Sequence, residues 1–205
     1  MPTWKSRGLR GSALEDMINY TIEQYSTKKL ALVQKIPTPI KPINIDQETR
    51  HITLAYFDQK STVDYIGAVQ GITLAYFEQK STVDYLGNVQ GIPICFDAKE
   101  CAVDTFPLQN IHEHQVKFMQ AMEEQNGIAF ILLYYTHRHE AYYVPLSDIV
   151  YFWNRGKNGG RKSFTYDEID KTLQIPIKNG VFLHFLEQLQ LDLLRHADES
   201  NGNGT

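Results

Sequence analysis

A tandem repeat limits what this chain can fold into. Residues 52–71 (ITLAYFDQKSTVDYIGAVQG) recur immediately as 72–91 (ITLAYFEQKSTVDYLGNVQG), and the copies differ only at Asp58/Glu78, Ile66/Leu86 and Ala68/Asn88. Stacked repeat folds need three or more units to bury a shared core, so two copies do not build a solenoid. The repeat reads as a local duplication within one domain, in which one copy is placed and the other tolerated. A chain of 205 residues suits one domain with a sizeable core. That domain is expected over 1–196, with 197–205 (ADESNGNGT) a disordered tail.

Around the repeat the periodicities alternate between helix and strand. Ser12 to Tyr25 predicts a helix, with Leu14, Met17, Ile18, Thr21, Ile22 and Tyr25 at helical spacing and Ser12/Glu15 in a capping-box pattern. The prolines of KIPTPIKPINI favour an extended edge strand. Residues 92–99 (IPICFDAK) read as a buried strand, and Pro107 to Gln125 as a second helix stopped by Asn126-Gly127. An apolar strand over 127–135 and a second over 141–144 follow, joined by a polar turn at 137–140. A short helix is expected from Ser147 to about Trp153, and a terminal helix over 180–196.

Composition narrows the class of function only loosely. No window approaches the 18 apolar residues of a membrane span, and the N-terminus lacks the apolar core of a secretory signal. Cys95 and Cys101 have no CxxC spacing, so a reduced cytoplasmic pair is expected rather than a disulfide or zinc site. The net charge of −4 argues against strong non-specific nucleic-acid binding, yet its distribution is uneven. RGKNGGRK at 155–162 and Lys5, Arg7 and Arg10 in the N-terminal arm form local basic patches of the kind phosphates need.

The residues that carry chemistry sit after the second repeat copy. Asp97 and Lys99 are two apart on a strand and point to one face. Asp84, thirteen residues before Asp97, reaches the same spot if it ends the preceding strand of a hairpin turning near Gly87 to Gly91. Two carboxylates suit a hard cation such as Mg²⁺, and a lysine beside them can orient water and offset charge on a phosphorane. An acid-x-Lys pair alone is a weak signal; its burial among Ile92, Ile94, Cys95 and Phe96 strengthens it, since buried charges are paired or used. Gln115 falls within the apolar stripe of its helix, either as a core amide or as a metal ligand through its carbonyl. Glu15 has two readings, an N-terminal cap or an active-site acid. The HEHQ and HRHE clusters place histidines two apart, which on a helix do not share a face, so a solvated helix and turn are preferred to zinc.

STVDYLGNVQGIPICFDAKE followed by TFPLQNIHEHQ resembles the core signature of the RecU family of Holliday-junction resolvases. Arg10-Gly11 with Leu14-Glu15, KIPTPIK, YFW at 151–153 and GRKS at 160–163 add to the resemblance, which covers residues 7 to about 170. It implies an α/β fold of the restriction-endonuclease-like, PD-(D/E)xK type, with a mixed central sheet flanked by helices and a protruding stalk. It further implies a cytoplasmic homodimer that cuts four-way DNA junctions in recombination and repair, using Mg²⁺ with Mn²⁺ able to substitute, and a recombinase as a possible partner. By motif, Thr82, Asp84, Asp97 and Gln115 would hold the metal, Lys99 would stabilise the transition state, and Glu15 would stand near the site. Asp97 occupies a place where such families commonly carry glutamate. The stalk would run between the PTP strand and the catalytic aspartate, where Lys41, Arg50, Lys60 and Lys80 interleave with Tyr56, Phe57, Tyr76 and Phe77, a mixture suited to phosphates and unstacked bases. Arg10, Arg161 and Lys162 are further DNA contacts on this reading.

Two alternatives stand beside it: a junction-binding protein whose catalysis the insertion impairs, and a restriction-type duplex endonuclease. A decoy also stands in the repeat, because Asp64 is followed by Glu78-Gln79-Lys80. Asp84 is preferred, since only the pair after the second copy runs on into the segment that supplies Gln115.

Overall fold

The computed structural model describes residues 12–36, 41–45, 52–56 and 83–202, and their side chains outside 41–45, 52–56 and 196–202. Two compact units divide the chain, Met1–Lys35 with Val83–Thr205, and Ile36–Thr82.

In the larger unit, helix α1 (Ala13–Thr27) starts where the capping pattern predicts, with Ser12 Oγ accepting from the Glu15 N–H at 3.2 Å. Its apolar stripe, Leu14, Met17, Ile18 and Tyr25, is buried. Strand β1 (Leu32–Lys35) follows. The smaller unit contributes an antiparallel pair, β2 (Lys41–Ile45) and β3 (Ile52–Tyr56). β3 is the opening of the first repeat copy, whereas β4 (Tyr85–Val89) comes from the second. The first copy is therefore not set aside as a block, because its first five residues form a strand.

Beyond β4 come β5 (Ile92–Cys101), the short β6 (Thr105–Pro107), α2 (Glu113–Glu124), β7 (Ile128–Tyr135), β8 (Glu140–Pro145) and α3 (Leu146–Lys157). The chain closes with β9 (Ser163–Thr165), β10 (Gln174–Ile175), β11 (Ile177–Lys178), β12 (Phe182–Leu183) and α4 (Leu186–Gly202). Six strands form a mixed sheet in the order β1-β4-β5-β7-β8-β10, with β5 and β7 parallel and the remaining pairs antiparallel. A parallel pair needs a crossover, and α2 supplies it. All eight residues of β7 are buried because helices cover both faces, α1 and α4 on one and α2 and α3 on the other.

Four rings pin the register across the sheet. Tyr85 stacks on Phe96 (4.7 Å between centroids), Phe96 on Phe130 (4.8 Å) and Phe130 on Tyr143 (4.3 Å), all on the α1/α4 face. Stacked aromatic pairs contribute about 0.5–1.5 kcal/mol each beyond the area they bury. Strand side chains alternate, so the residues flanking these rings face α2 and α3.

Four boundaries differ from the sequence expectation. Pro107 does not open a helix: Thr105–Pro107 pairs with β9, Leu108 N–H donates to the Lys162 carbonyl, and a 3₁₀ turn at Leu108–Asn110 delays α2 to Glu113. The segment from 180 is first a strand, turned at Asn179 and Gly180, both at positive φ, and the Leu183 N–H bonds to Thr21 Oγ1. The helices α3 and α4 run on to Lys157 and Gly202, past the predicted ends near Trp153 and 196. The tail expected from 197 thus begins as helix.

Candidate active site

The hairpin β4–β5 brings the acids together. Its tight turn has Gln90 and Gly91 at positive φ, the conformation of a two-residue hairpin loop, and Asn88 Oδ1 accepts from the Gly91 N–H at 2.8 Å. Gly87 lets the edge strand β1 lie against this hairpin, since a Cβ there would meet the Leu32 carbonyl oxygen at 2.6 Å. Tyr85 pairs with Phe96, so Asp84 falls opposite Asp97.

Backbone amides hold both carboxylates. The Asp84 N–H donates to Asp97 Oδ1 at 2.8 Å, and the Ala98 N–H donates to Asp84 Oδ2 at 3.0 Å. Asp97 is fully buried, and its Oδ2 is ion-paired to Lys99 Nζ at 3.0 Å. Burial pushes the Asp97 carboxyl above the usual range; the Asp84 charge adds to this, and Lys99 works against it. The pair is thus short of positive charge, with a buried oxygen lone pair to spare. An all-oxygen donor set of this kind fits Mg²⁺. Among the described residues no three His, Cys, Asp or Glu side chains converge on one point, so protein carboxylates alone would not fill a cation's shell.

Gln115 is buried, as its stripe predicts, and backbone meets its amide, the first of its two readings: it is the third residue of α2, and its Oε1 accepts from the His112 N–H at 3.0 Å. An amide oxygen has two lone pairs, so capping the helix leaves one over. Glu15 sits on α1, which packs on the opposite sheet face, and its Oε2 is 2.8 Å from Lys35 Nζ. Lys35 was not singled out in the sequence, although KIPTPIK held it in view. Nor was Glu100, whose Oε1 accepts from the Leu14 N–H at 2.9 Å and ties the start of α1 to β5. Its signal was the alternation itself, which turns Glu100 away from Lys99 and towards α1.

The basic residues separate. Arg161 pairs with Glu168, which also takes Arg155 Nη1 at 2.6 Å. Against the effect of desolvation, hydrogen bonds from Arg155 and Thr165 hold the Glu168 carboxyl down at about 2. Lys162 has no carboxylate partner among the described residues. Of the histidines, His137 Nε2 lies 2.8 Å from Asp104 Oδ1, and His139 Nδ1 3.3 Å from the Tyr134 hydroxyl. Arg10, Arg50, Lys80, Thr82 and the decoy Asp64, Glu78 and Lys80 lie outside the described residues, as does the side chain of Lys41.

Among the described residues, no helix is long and apolar enough to cross a membrane. The family described as RecU, Recombination protein U, matches residues 9–74 and 70–191, two blocks that meet where the repeat copies join. Proteins named Holliday junction resolvase RecU from Bacillus thuringiensis (strain Al Hakam), Bacillus cereus (strain AH820) and Bacillus anthracis (strain A0248) are each 39% identical over 193 residues, covering 92% of this chain and 83% of theirs. Matches of that extent, together with the carboxylate pair that the β4–β5 hairpin brings together beside Lys99, mean that the chain belongs to the RecU family.

Proposed function

We propose that this protein is a Mg²⁺-dependent endonuclease that resolves four-way DNA junctions, on a core of the PD-(D/E)xK type. The observation that carries the reading is the Asp84–Asp97–Lys99 constellation: two opposed carboxylates, one of them fully buried, and an ammonium 3.0 Å from its Oδ2.

Asp97 Oδ2 and Asp84 would hold the metal, with Gln115, Thr82, water and phosphate oxygens as further donors. Bound there, Mg²⁺ would acidify a water and neutralise charge on the scissile phosphate. The chain's own contribution is positional. The Asp84 and Ala98 amides fix the carboxylates before substrate arrives, so little reorganisation remains for the transition state. Lys99, mostly buried, stands where it can orient the attacking water and offset developing charge on the phosphorane. Unit 36–82, with Lys41, Arg50 and Lys80, would enter the junction, and a homodimer would present two such sites to opposite strands. A recombinase partner and a cytoplasmic setting fit the same role.

The duplication leaves the second copy's Asp84 opposite Asp97, which favours a working enzyme over a binding protein with damaged catalysis. The test is cleavage of a synthetic four-way junction beside a matched linear duplex, with Mg²⁺ and with EDTA. Symmetric Mg²⁺-dependent cuts in the junction support the proposal. Cuts at a fixed sequence in the duplex would instead make it a restriction-type nuclease.

A further inference from the structure

The face of the sheet that carries Asp97 and Lys99 also holds an open cavity that the chemistry above does not use. Its volume is about 370 Å³, and Leu108, Gln109, Trp153, Gly156, Lys157 and Lys162 line it. That is within the range of small-ligand sites, roughly 300–1,000 Å³. A smaller cavity of about 70 Å³ shares Trp153 and Lys157 with it and adds Lys117 and Glu113. The indole thus stands between two hollows, partly exposed, with lysines on both sides.

The local sequence builds this arrangement. The Leu108 N–H bonds to the Lys162 carbonyl, which fixes the 3₁₀ turn against the strand that leaves the basic loop. Leu108 is buried and forms an apolar floor. Gly156, on the last turn of α3, leaves the floor open where a longer side chain would reach towards Leu108 and Lys162. The charge here is lopsided: Lys117 and Lys157 share one carboxylate, that of Glu113, at 3.5 and 3.2 Å, while Lys162 has none among the described residues. The Lys157–Glu113 contact is well exposed on both sides, and such surface pairs give way readily to a stronger anion.

We infer that this cavity takes one unstacked nucleotide of the DNA substrate, its base against Trp153 and its phosphate on Lys157 and Lys162. An aromatic face flanked by ammonium groups is the combination that holds single-stranded nucleic acid without reading its sequence. Gln109 adds an amide that can donate to or accept from a base edge. The inference rests on the proposal that DNA is the substrate, and it assigns a place for a base freed near the branch point.

Trp153 is one of two tryptophans, so Trp4→Phe leaves it as the only indole reporter. Titrating that protein with a single-stranded thymidine pentamer should quench its fluorescence saturably. A deoxyribose-phosphate pentamer with no base at any position should quench much less, and Lys162→Ala should weaken binding severalfold while the folded-state spectrum is kept. Equal quenching by both pentamers, or none, overturns the inference. An acidic decapeptide that competes as well as the pentamer overturns it too, because the groove would then serve a protein chain. Junction cleavage by the Trp4→Phe protein, measured in parallel, separates the two claims: cleavage without quenching removes the nucleotide site alone, and quenching without cleavage removes the nuclease reading alone.

Discussion

Asp97 carries a conflict that chemistry needs and folding does not. An acid with a raised folded pKa binds more protons folded than unfolded, so its stability contribution falls as pH rises above the ordinary carboxylate value of about 4. Asp97→Asn removes that ionisation. In EDTA at pH 7.5 the variant is expected to melt above the native protein, with the gain shrinking as the pH is lowered toward 4; an equal or lower midpoint would contradict this. The same variant, and Lys99→Ala, are expected to lose cleavage while binding junctions within a few-fold of native, because their work is done in the transition state and affinity comes from phosphates. Mg²⁺ at ten times its Kd would stabilise the native protein by about 1.4 kcal/mol, and calorimetry on Asp97→Asn should show that gain lost. Among the cations, Lys162→Ala is expected to lower the salt dependence of binding by roughly one unit. Arg161→Ala should change it less, since Glu168 already holds that guanidinium. The buried pair and its lysine were legible in the sequence from spacing and hydrophobic context. Lys35 on Glu15 was not, because an ion pair between elements leaves no local pattern.

Strand β4 decides which repeat copy works. Both copies offer Asp-Tyr followed by Gly and Val-Gln-Gly, so alternation alone cannot choose between them. Asn88 helps: its Oδ1 caps the Gly91 amide at the turn, and the first copy has Ala68 in that place. Such a hydrogen bond is worth about 1 kcal/mol. Junction cleavage assays should therefore find Asp84→Asn inactive and Asp64→Asn active, and the reverse pattern would mean that the first copy pairs with β5. Gly87→Ala tests the hairpin's packing, since the added methyl would press on the backbone of β1. A loss of about 1–3 kcal/mol in a denaturant titration is expected, with no loss indicating that β1 can move away. The elements that periodicity found most faithfully were those buried on one or both faces, β5, β7 and α1. It missed the delayed start of α2, because Pro107 is an acceptable first residue of a helix and only pairing with β9 makes it strand. β12 escaped for a similar reason, its two residues being too few for any period to register.

At the scale of the molecule, the mixed sheet between two helical layers is what the family resemblance implies, and the alternating strand and helix patterns agree with it, but neither gives its strand order. β1 pairs with β4 across the whole of unit 36–82, a long-range contact invisible to local patterns. That pairing holds the strand preceding Asp97 in place, and it sets how the chain must search for its native state. Once the local pair β2–β3 has closed, roughly 33 residues remain to be looped before β1 meets β4, against roughly 13 had the chain a single repeat copy. The difference in closure entropy is about 0.8 kcal/mol, roughly fourfold in rate if the loop closes before the barrier. Removing 62–81 or 52–71 leaves chains that differ only by Asp58 or Glu78, and either should still cleave junctions. Stopped-flow refolding of either is expected to run up to fourfold faster, with the unfolding limb of its chevron unchanged. An unfolding limb that accelerated would mean that the extra twenty residues hold the native state together instead of merely delaying its formation.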